Sequence, residues 1–205
     1  MYRKDKKHEY FTIKARKEGY PARSVYKLAE IDKKYHLIKP GDVILDLGCV
    51  PGSWLLYCSQ KIGDKGKIVG IDISPMKIEL PKNTIFLQTD IMELKISKLK
   101  ELNTKYDIVV SDMAPSTSGV KFVDAGKSLE LSQRGFEIAC EVLASNGNFV
   151  CKIFESFESD RFLKEVAKNF VFMKKIRPKA VIKNSKEFYL VAKGFKPISN
   201  LPTSL

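Results

Sequence analysis

Four short apolar runs in this chain close on acids or glycines: Asp46-Leu47-Gly48, Gly70-Ile71-Asp72, Thr89-Asp90 and Ser111-Asp112. Any one alone could be an ordinary strand terminus, because turn residues collect there. Four in succession put polar groups at one end of a sheet, where open α/β sheets bind ligands. The loop after the first run reads DLGCVPGSW, with Gly48 and Gly52 spaced G-x-x-x-G. It lacks the G-x-G-x-x-G that brings a pyrophosphate against the backbone in dinucleotide binders. Gly48 and Gly52 would instead let the chain curl around a smaller, amino-acid-like group. Asp72 could accept both hydroxyls of a ribose, and Asp90 could accept an adenine amino hydrogen. A methionine end, a ribose and an adenine without phosphate make S-adenosylmethionine the ligand these residues suggest. Trp54 either packs along the methionine or belongs to the core. Asp46, Pro51, Ser53, Ile73 and Ile91 flank these positions and complete the candidate cofactor site.

A second group of residues could move a proton. Asp112 opens the segment SDMAPSTSG (111–119), which would set a carboxylate beside the group to be transferred. Lys152 lies inside the apolar run FVCKIF. On an edge strand it would be a solvated lysine. On an interior strand it would be buried, and burial disfavours the ammonium form, which makes the amine a candidate general base. Lys27 precedes the first apolar run, and Glu187 begins the last one. Lys152 could then take a proton from a nucleophile held beside it. Alternatively, the lysines would neutralise phosphates flanking a nucleic-acid substrate.

The elements that must hold these residues follow from periodicity. Val25, Leu28, Ala29 and Ile31 predict a helix within 22–36, broken by Pro40 and Gly41. Strands are expected at 42–48, 67–73, 84–90, 106–112, 147–154, 170–176 and 187–194. Helices are expected at 54–63, 91–103, 126–144 and 159–169, with a loop over 113–125. Strands alternating with helices predict a mostly parallel, doubly wound sheet covered on both faces. Only residues 177–186 separate the last two strands, too few for a helical crossover, so that pair should be antiparallel. This is the Rossmann-like arrangement of class I methyltransferases: seven strands, mostly parallel, with an antiparallel last strand.

The chain has 205 residues and a formal net charge of +12, long enough for one domain with a sizeable core. Residues 1–40 hold 12 bases and 5 acids, 174–205 hold 8 bases and 1 acid, and 41–173 hold 16 bases and 18 acids. We therefore divide one domain, 1–205, into a basic extension and helix (1–40), a core (41–194) and a tail (195–205). If the two basic ends meet, they form a positive face suited to a polyanion. Candidate phosphate contacts are Lys14, Arg16, Lys17, Arg23, Lys174, Lys175, Arg177 and Lys179, with Arg3, Lys4, Lys6, Lys7 and Lys183 beside them. Tyr10, Phe11 and Tyr20 could stack on unpaired bases. Cys49, Cys58, Cys140 and Cys151 form no C-x-x-C pair, and His8 and His36 stand far apart, so no metal site is expected. Reduced thiols, no apolar h-region in MYRKDKKHEYF and no apolar run of membrane length suggest a cytoplasmic protein without membrane contact.

The segments SVYKL, DLGCVPGSW, the strand-ending Asp72, SDMAPSTSG, FVCKIF and SKEFYLVA occur in one order. In that order they resemble the FtsJ/RrmJ (RlmE) family of RNA ribose 2′-O-methyltransferases, from about Glu9 to Gly194. The resemblance implies a catalytic set of Lys27, Asp112, Lys152 and Glu187, and cofactor contacts at Gly52, Trp54, Asp72, Asp90 and Asp112. It implies a monomer acting on a uridine of large-subunit ribosomal RNA, in the peptidyl transferase region and within an assembled particle. DNA, which lacks the 2′-hydroxyl, would be excluded. The family has two glycines after the loop proline, and here the second is Ser53, where a left-handed backbone angle would be strained. Two alternatives stay open: methylation of a transfer RNA anticodon loop, and a catalytically silent RNA-binding assembly factor. A nicotinamide dehydrogenase is disfavoured by the missing dinucleotide fingerprint.

Overall fold

A computed structural model describes residues 6–115, 119–182 and 185–197. In chain order the elements are α1 (Lys6–Lys17), α2 (Val25–Tyr35), β1 (Val43–Leu47), α3 (Ser53–Ile62), β2 (Lys67–Asp72) and β3 (Thr84–Gln88). Then come α4 (Ile96–Leu102), β4 (Tyr106–Ser111), α5 (Lys121–Val142), β5 (Leu143–Phe154), α6 (Phe157–Lys168), β6 (Phe170–Ile176) and β7 (Glu187–Phe195). They build one seven-stranded sheet in the order β3-β2-β1-β4-β5-β7-β6. Strands β1 to β5 pair in parallel, while β7 runs antiparallel to both β5 and β6. The antiparallel pairing follows from the short connection, but β7 does not end the sheet. It inserts between β5 and β6, which makes β5 an interior strand and leaves β6 at the edge.

Side chains alternate across a strand, so each strand feeds two cores. Leu45, Val109, Cys151, Ile153 and Leu190 enter an apolar cluster shared with α5 and α6. Ile44, Ile68, Ile108, Val110, Val150 and Val191 enter a second cluster, shared with α2 and α3. The same parity, counted on from these residues, directs Asp46, Asp72, Asp112, Lys152, Tyr189 and Glu187 toward the α2–α3 side at the carboxyl ends of the parallel strands. The core of apolar strands thus fixes which face carries the polar residues.

Four elements differ from the sequence reading. The helix expected at 91–103 is confined to Ile96–Leu102, and β5 starts at Leu143 and not near 147. Helix α5 begins at Lys121, not near 126, with Asp124 in its first turn, where an acid complements the helix dipole. Residues Lys6–Lys17 form α1, which has few apolar residues and docks through Ala15, buried, and Phe11, whose ring lies 5.3 Å from that of Tyr26. Cys49, Cys58 and Cys151 are buried in the cores, and Cys140 is half-buried. Among the described residues no helix is long and apolar enough to cross a membrane.

Candidate active site

A cleft of about 410 Å³ opens at the carboxyl ends of β1, β2, β3 and β4. Of the residues named from sequence, Gly48, Asp72, Ile73, Asp90, Ile91 and Asp112 line it. Val50, Ser74, Thr89, Met113, Ala114 and Leu131 complete the wall. Asp72 organises the site as well as lining it: one carboxylate oxygen accepts the Val50 N–H at 2.9 Å and the other the Ser74 N–H at 2.8 Å. A carboxylate has about four acceptor positions, so hydroxyl donors can still be served. Asp90 accepts the Met92 N–H at 2.9 Å through one oxygen. Gly48, at φ +74°, has no room for a side chain, since a Cβ there would stand 2.6 Å from Cγ of Met113.

Asp46, Pro51, Gly52, Ser53 and Trp54 do not line the cleft. Gly52 carries the left-handed angle of the loop (φ +105°), and a Cβ on it would strike Ile78. Ser53 therefore starts α3 without that strain, and its Oγ accepts the Ala22 N–H at 2.8 Å. Trp54 turns into the second core. Its Nε1 donates to the Ser24 carbonyl at 2.8 Å, and its ring lies 5.9 Å from that of Tyr189. Pro51 is exposed. Asp46 is fully buried beneath the loop, and among the described residues neither carboxyl oxygen has a hydrogen-bond partner. Burial, and then the charges of Asp112 and Asp72, push its carboxyl well above the usual range. An unpaired buried polar group costs about 1–3 kcal/mol. A cationic, amino-acid-like ligand end lying near Gly48 would offset part of that cost through its charge, without touching Asp46, which has no surface in the cleft. Together with the glycine approach and the two strand-ending acids, this orphaned carboxyl fits a methyl donor with an amino-acid end and a nucleoside end.

At the end of the cleft nearest β5 the four candidate catalytic residues converge. Lys152 Nζ donates to the Asp112 backbone carbonyl at 2.6 Å and lies 3.1 Å from its Oδ1. Lys27 Nζ lies 2.7 Å from Glu187 Oε1. Lys27 and Lys152 are 8% and 6% exposed, so both amines are withheld from bulk water. The β5–β7 register sets Lys152 opposite Tyr189, and Phe154 opposite Glu187. Tyr189 OH donates to Asp112 Oδ1 at 2.6 Å, and Lys27 Nζ sits 5.5 Å from the Tyr189 ring centre. Burial pushes the Asp112 carboxyl up, but the Lys152 and Lys27 charges and the Tyr189 hydrogen bond outweigh it and hold it below its ordinary value. Burial, then the charges of Asp112 and Glu187, raise the Tyr189 hydroxyl, which stays a proton donor. From α5, Ser132 Oγ shares its one proton between the Ser128 carbonyl at 2.7 Å and the Lys152 carbonyl at 3.0 Å, which ties α5 to β5 at this point. Tyr189 was absent from the sequence-named set. Its signal was available, two residues beyond Glu187 on the same strand face.

The two basic ends meet in space. Arg23 donates to the Ala180 carbonyl at 2.9 Å, and Glu30 accepts the Lys179 N–H at 2.7 Å. Several candidate phosphate contacts already have partners: Lys14 pairs with Glu18 at 3.8 Å and Lys175 with Glu155 at 2.7 Å. Arg16, Lys17, Lys174, Arg177 and Lys179 are exposed. Tyr10 is exposed, whereas Phe11 packs on Tyr26, and Tyr20 OH donates to Gln60 at 2.7 Å. Arg3, Lys4 and Lys183 and the side chains of Lys6 and Lys7 lie outside the described residues, as do 116–118 of the Asp112 segment and the tail from 198.

Sheet order, antiparallel β7 and a cleft at the strand ends define a Rossmann-like methyltransferase fold. The FtsJ-like methyltransferase model matches residues 20–195, and the chain belongs to that family. It is 44% identical over 195 residues to ribosomal RNA large subunit methyltransferase E of Desulfatibacillum aliphaticivorans, covering 95% of this chain and 94% of that one. The protein of the same name from Desulforapulum autotrophicum is 45% identical over 188 residues, covering 92% and 93%. A solved Plasmodium falciparum structure, described as a ribosomal RNA methyltransferase, superposes with a TM-score of 0.75 at 31% identity, covering 86% of this chain and 98% of that one.

Proposed function

We propose that this chain transfers the methyl group of S-adenosylmethionine to a ribose 2′-hydroxyl of large-subunit ribosomal RNA, at a uridine of the peptidyl transferase region. The observation that carries the reading is two sequestered lysines, each paired to an acid, beside a nucleoside-sized cleft. The names of the relatives support ribosomal RNA as the substrate.

When bound, S-adenosylmethionine supplies an electrophilic methyl group. Asp72 and Asp90 would hold its ribose and adenine, and the Gly48 backbone its amino-acid end, with Asp46 buried behind it. The ribose hydroxyl is a weak nucleophile at neutral pH, so the chain must align it and remove its proton. Lys152 Nζ takes that proton, and the O–H electron pair stays on the oxygen. Asp112, fixed by Tyr189, aims the amine. Glu187 holds Lys27 across the Tyr189 ring, where it positions the hydroxyl from the other side.

The direct test compares ribose methylation across all cellular RNA with and without this protein. Loss of one 2′-O-methyl mark on a large-subunit uridine is the expected result. Loss of a transfer RNA mark instead, or of none, overturns the reading. RNA binding should also depend on salt through the exposed bases. With about five phosphate contacts, affinity should drop about 10²–10³-fold between 50 and 200 mM salt. Titration of RNA at several salt concentrations checks this, and Arg177→Ala should reduce the slope by about one contact.

A further inference from the structure

A second cleft, of about 480 Å³, lies just beyond the catalytic residues, between the start of α5, the end of β5 and the start of α6. Its rim carries two large apolar side chains that the fold leaves bare: Phe157 is 93% exposed and Phe122 79%. Phe154 and Ala125 form its floor, and Glu155, Glu158 and Lys186 its polar edge. Neither rim phenylalanine contributes to the two cores. Single exposed apolar residues need no explanation, but two on the rim of one cleft beside a reactive centre do.

We propose that this cleft binds the base of the nucleotide being methylated, clamped between Phe122 and Phe157; the proposal rests on the RNA reading above. Continuity with the catalytic site is the first argument. Phe154 lies two residues past Lys152, about 7 Å along the strand, and directly opposite Glu187. Lys186, on the opposite edge, adjoins Glu187 in the chain. A base attached to a ribose held at Lys152 is therefore within reach of this cleft. Charge is the second argument. Lys175 already pairs with Glu155, so Glu158 is the carboxylate that the lining offers to ring N–H and amino groups, with Lys186 opposite it in sign. Exposed aromatic faces with hydrogen-bond acceptors beside them are how unpaired bases are gripped. Ser156 Oγ accepts the Ser159 N–H at 3.2 Å and caps α6, so Phe157 is presented from a fixed helix start.

Phe122→Ala and Phe157→Ala are tested on large ribosomal subunits from cells lacking this protein. Each should raise KM for the subunits about 5–100-fold, the loss expected for one base–aromatic stack, with cofactor affinity unchanged. Phe157→Tyr should restore KM. An unchanged KM in the Phe122/Phe157 double alanine variant overturns the clamp. A second measurement does not depend on turnover: wild-type protein is photo-crosslinked to single-stranded RNA containing 5-iodouridine, and the adducts are mapped by mass spectrometry. Adducts on Phe122 or Phe157 support the clamp even if ribosomal subunits prove not to be the methylated substrate. Adducts confined to the basic ends overturn it. So does a KM defect on subunits without an RNA adduct at either ring, which would make the cleft a contact for a ribosomal protein.

Discussion

Replacing Lys152 with alanine is expected to lower the rate of methyl transfer about 10²–10⁴-fold, the usual contribution of a positioned general base, while cofactor binding persists. The expectation rests on geometry. Lys152 is held by both the carbonyl and the carboxylate of Asp112, at 2.6 and 3.1 Å, and its backbone is braced by Ser132. A side chain so restrained points its Nζ in one direction, and positioning adds to the chemical effect. Lys152→Arg separates the base role from charge neutralisation, because a guanidinium keeps the charge but cannot take a proton at neutral pH. A dead arginine variant that still binds RNA supports the base. Near-normal turnover in the arginine variant assigns Lys152 to phosphate neutralisation, and near-normal turnover in the alanine variant removes it from catalysis. Single-turnover rates with measured cofactor affinity distinguish these results.

The residues that converge were legible because strands have a period of two. Ile44 with Asp46, Ile108 and Val110 with Asp112, and Val150 with Lys152 share faces, so a correct strand assignment already sorts the polar residues onto one side. The same rule would have found Tyr189 from Glu187. Trp54 was harder. Its partner, the Ser24 carbonyl, lies 30 residues away, and no local pattern shows that α2 docks over α3. The position of β7 was half-legible: a ten-residue connection dictates antiparallel pairing with β6, but its insertion beside β5 is a long-range choice. That insertion decides the chemistry, since it buries Lys152 and brings Tyr189 and Glu187 opposite β5. Helix α1 has little periodic signal because eight of its twelve residues are polar or charged, and it docks through Ala15 and through Phe11 and Lys14 on the Tyr26 ring of α2. The meeting of the basic ends was only conditional in the sequence; the Arg23–Ala180 and Glu30–Lys179 bonds make it a feature of the fold.

Asp112→Asn is expected to destabilise the protein by about 3–5 kcal/mol at neutral pH, because it strands a buried ammonium without its counter-charge. For a chain of this size that corresponds to a fall in Tm of about 6–20 °C. Lys152, 6% exposed, has no solvent to turn to, and Tyr189 loses its charged acceptor. The sign of the pH dependence follows from the Asp112 carboxyl, which burial raises but Lys152, Lys27 and Tyr189 hold lower still. A depressed carboxyl stabilises the fold fully above the ordinary aspartate range, about 3.9, and loses that contribution as pH falls through the folded value. The gap in Tm between wild type and Asp112→Asn should therefore narrow as pH falls below about 4. The gap is the quantity to follow because the burial that raises the Asp46 carboxyl, and so gives the opposite slope, is common to both proteins; the Asp112 charge that adds to it is absent from Asp112→Asn, so this slope cancels only in part. Removing the stranded charge as well, in Asp112→Asn with Lys152→Met, should recover most of the lost stability, since a buried pair replaced as a unit costs little. Calorimetry of the three proteins from pH 3 to 8 checks both statements. A gap that stays constant down to pH 3, or a double variant no more stable than Asp112→Asn, would show that this pair does not hold the centre together.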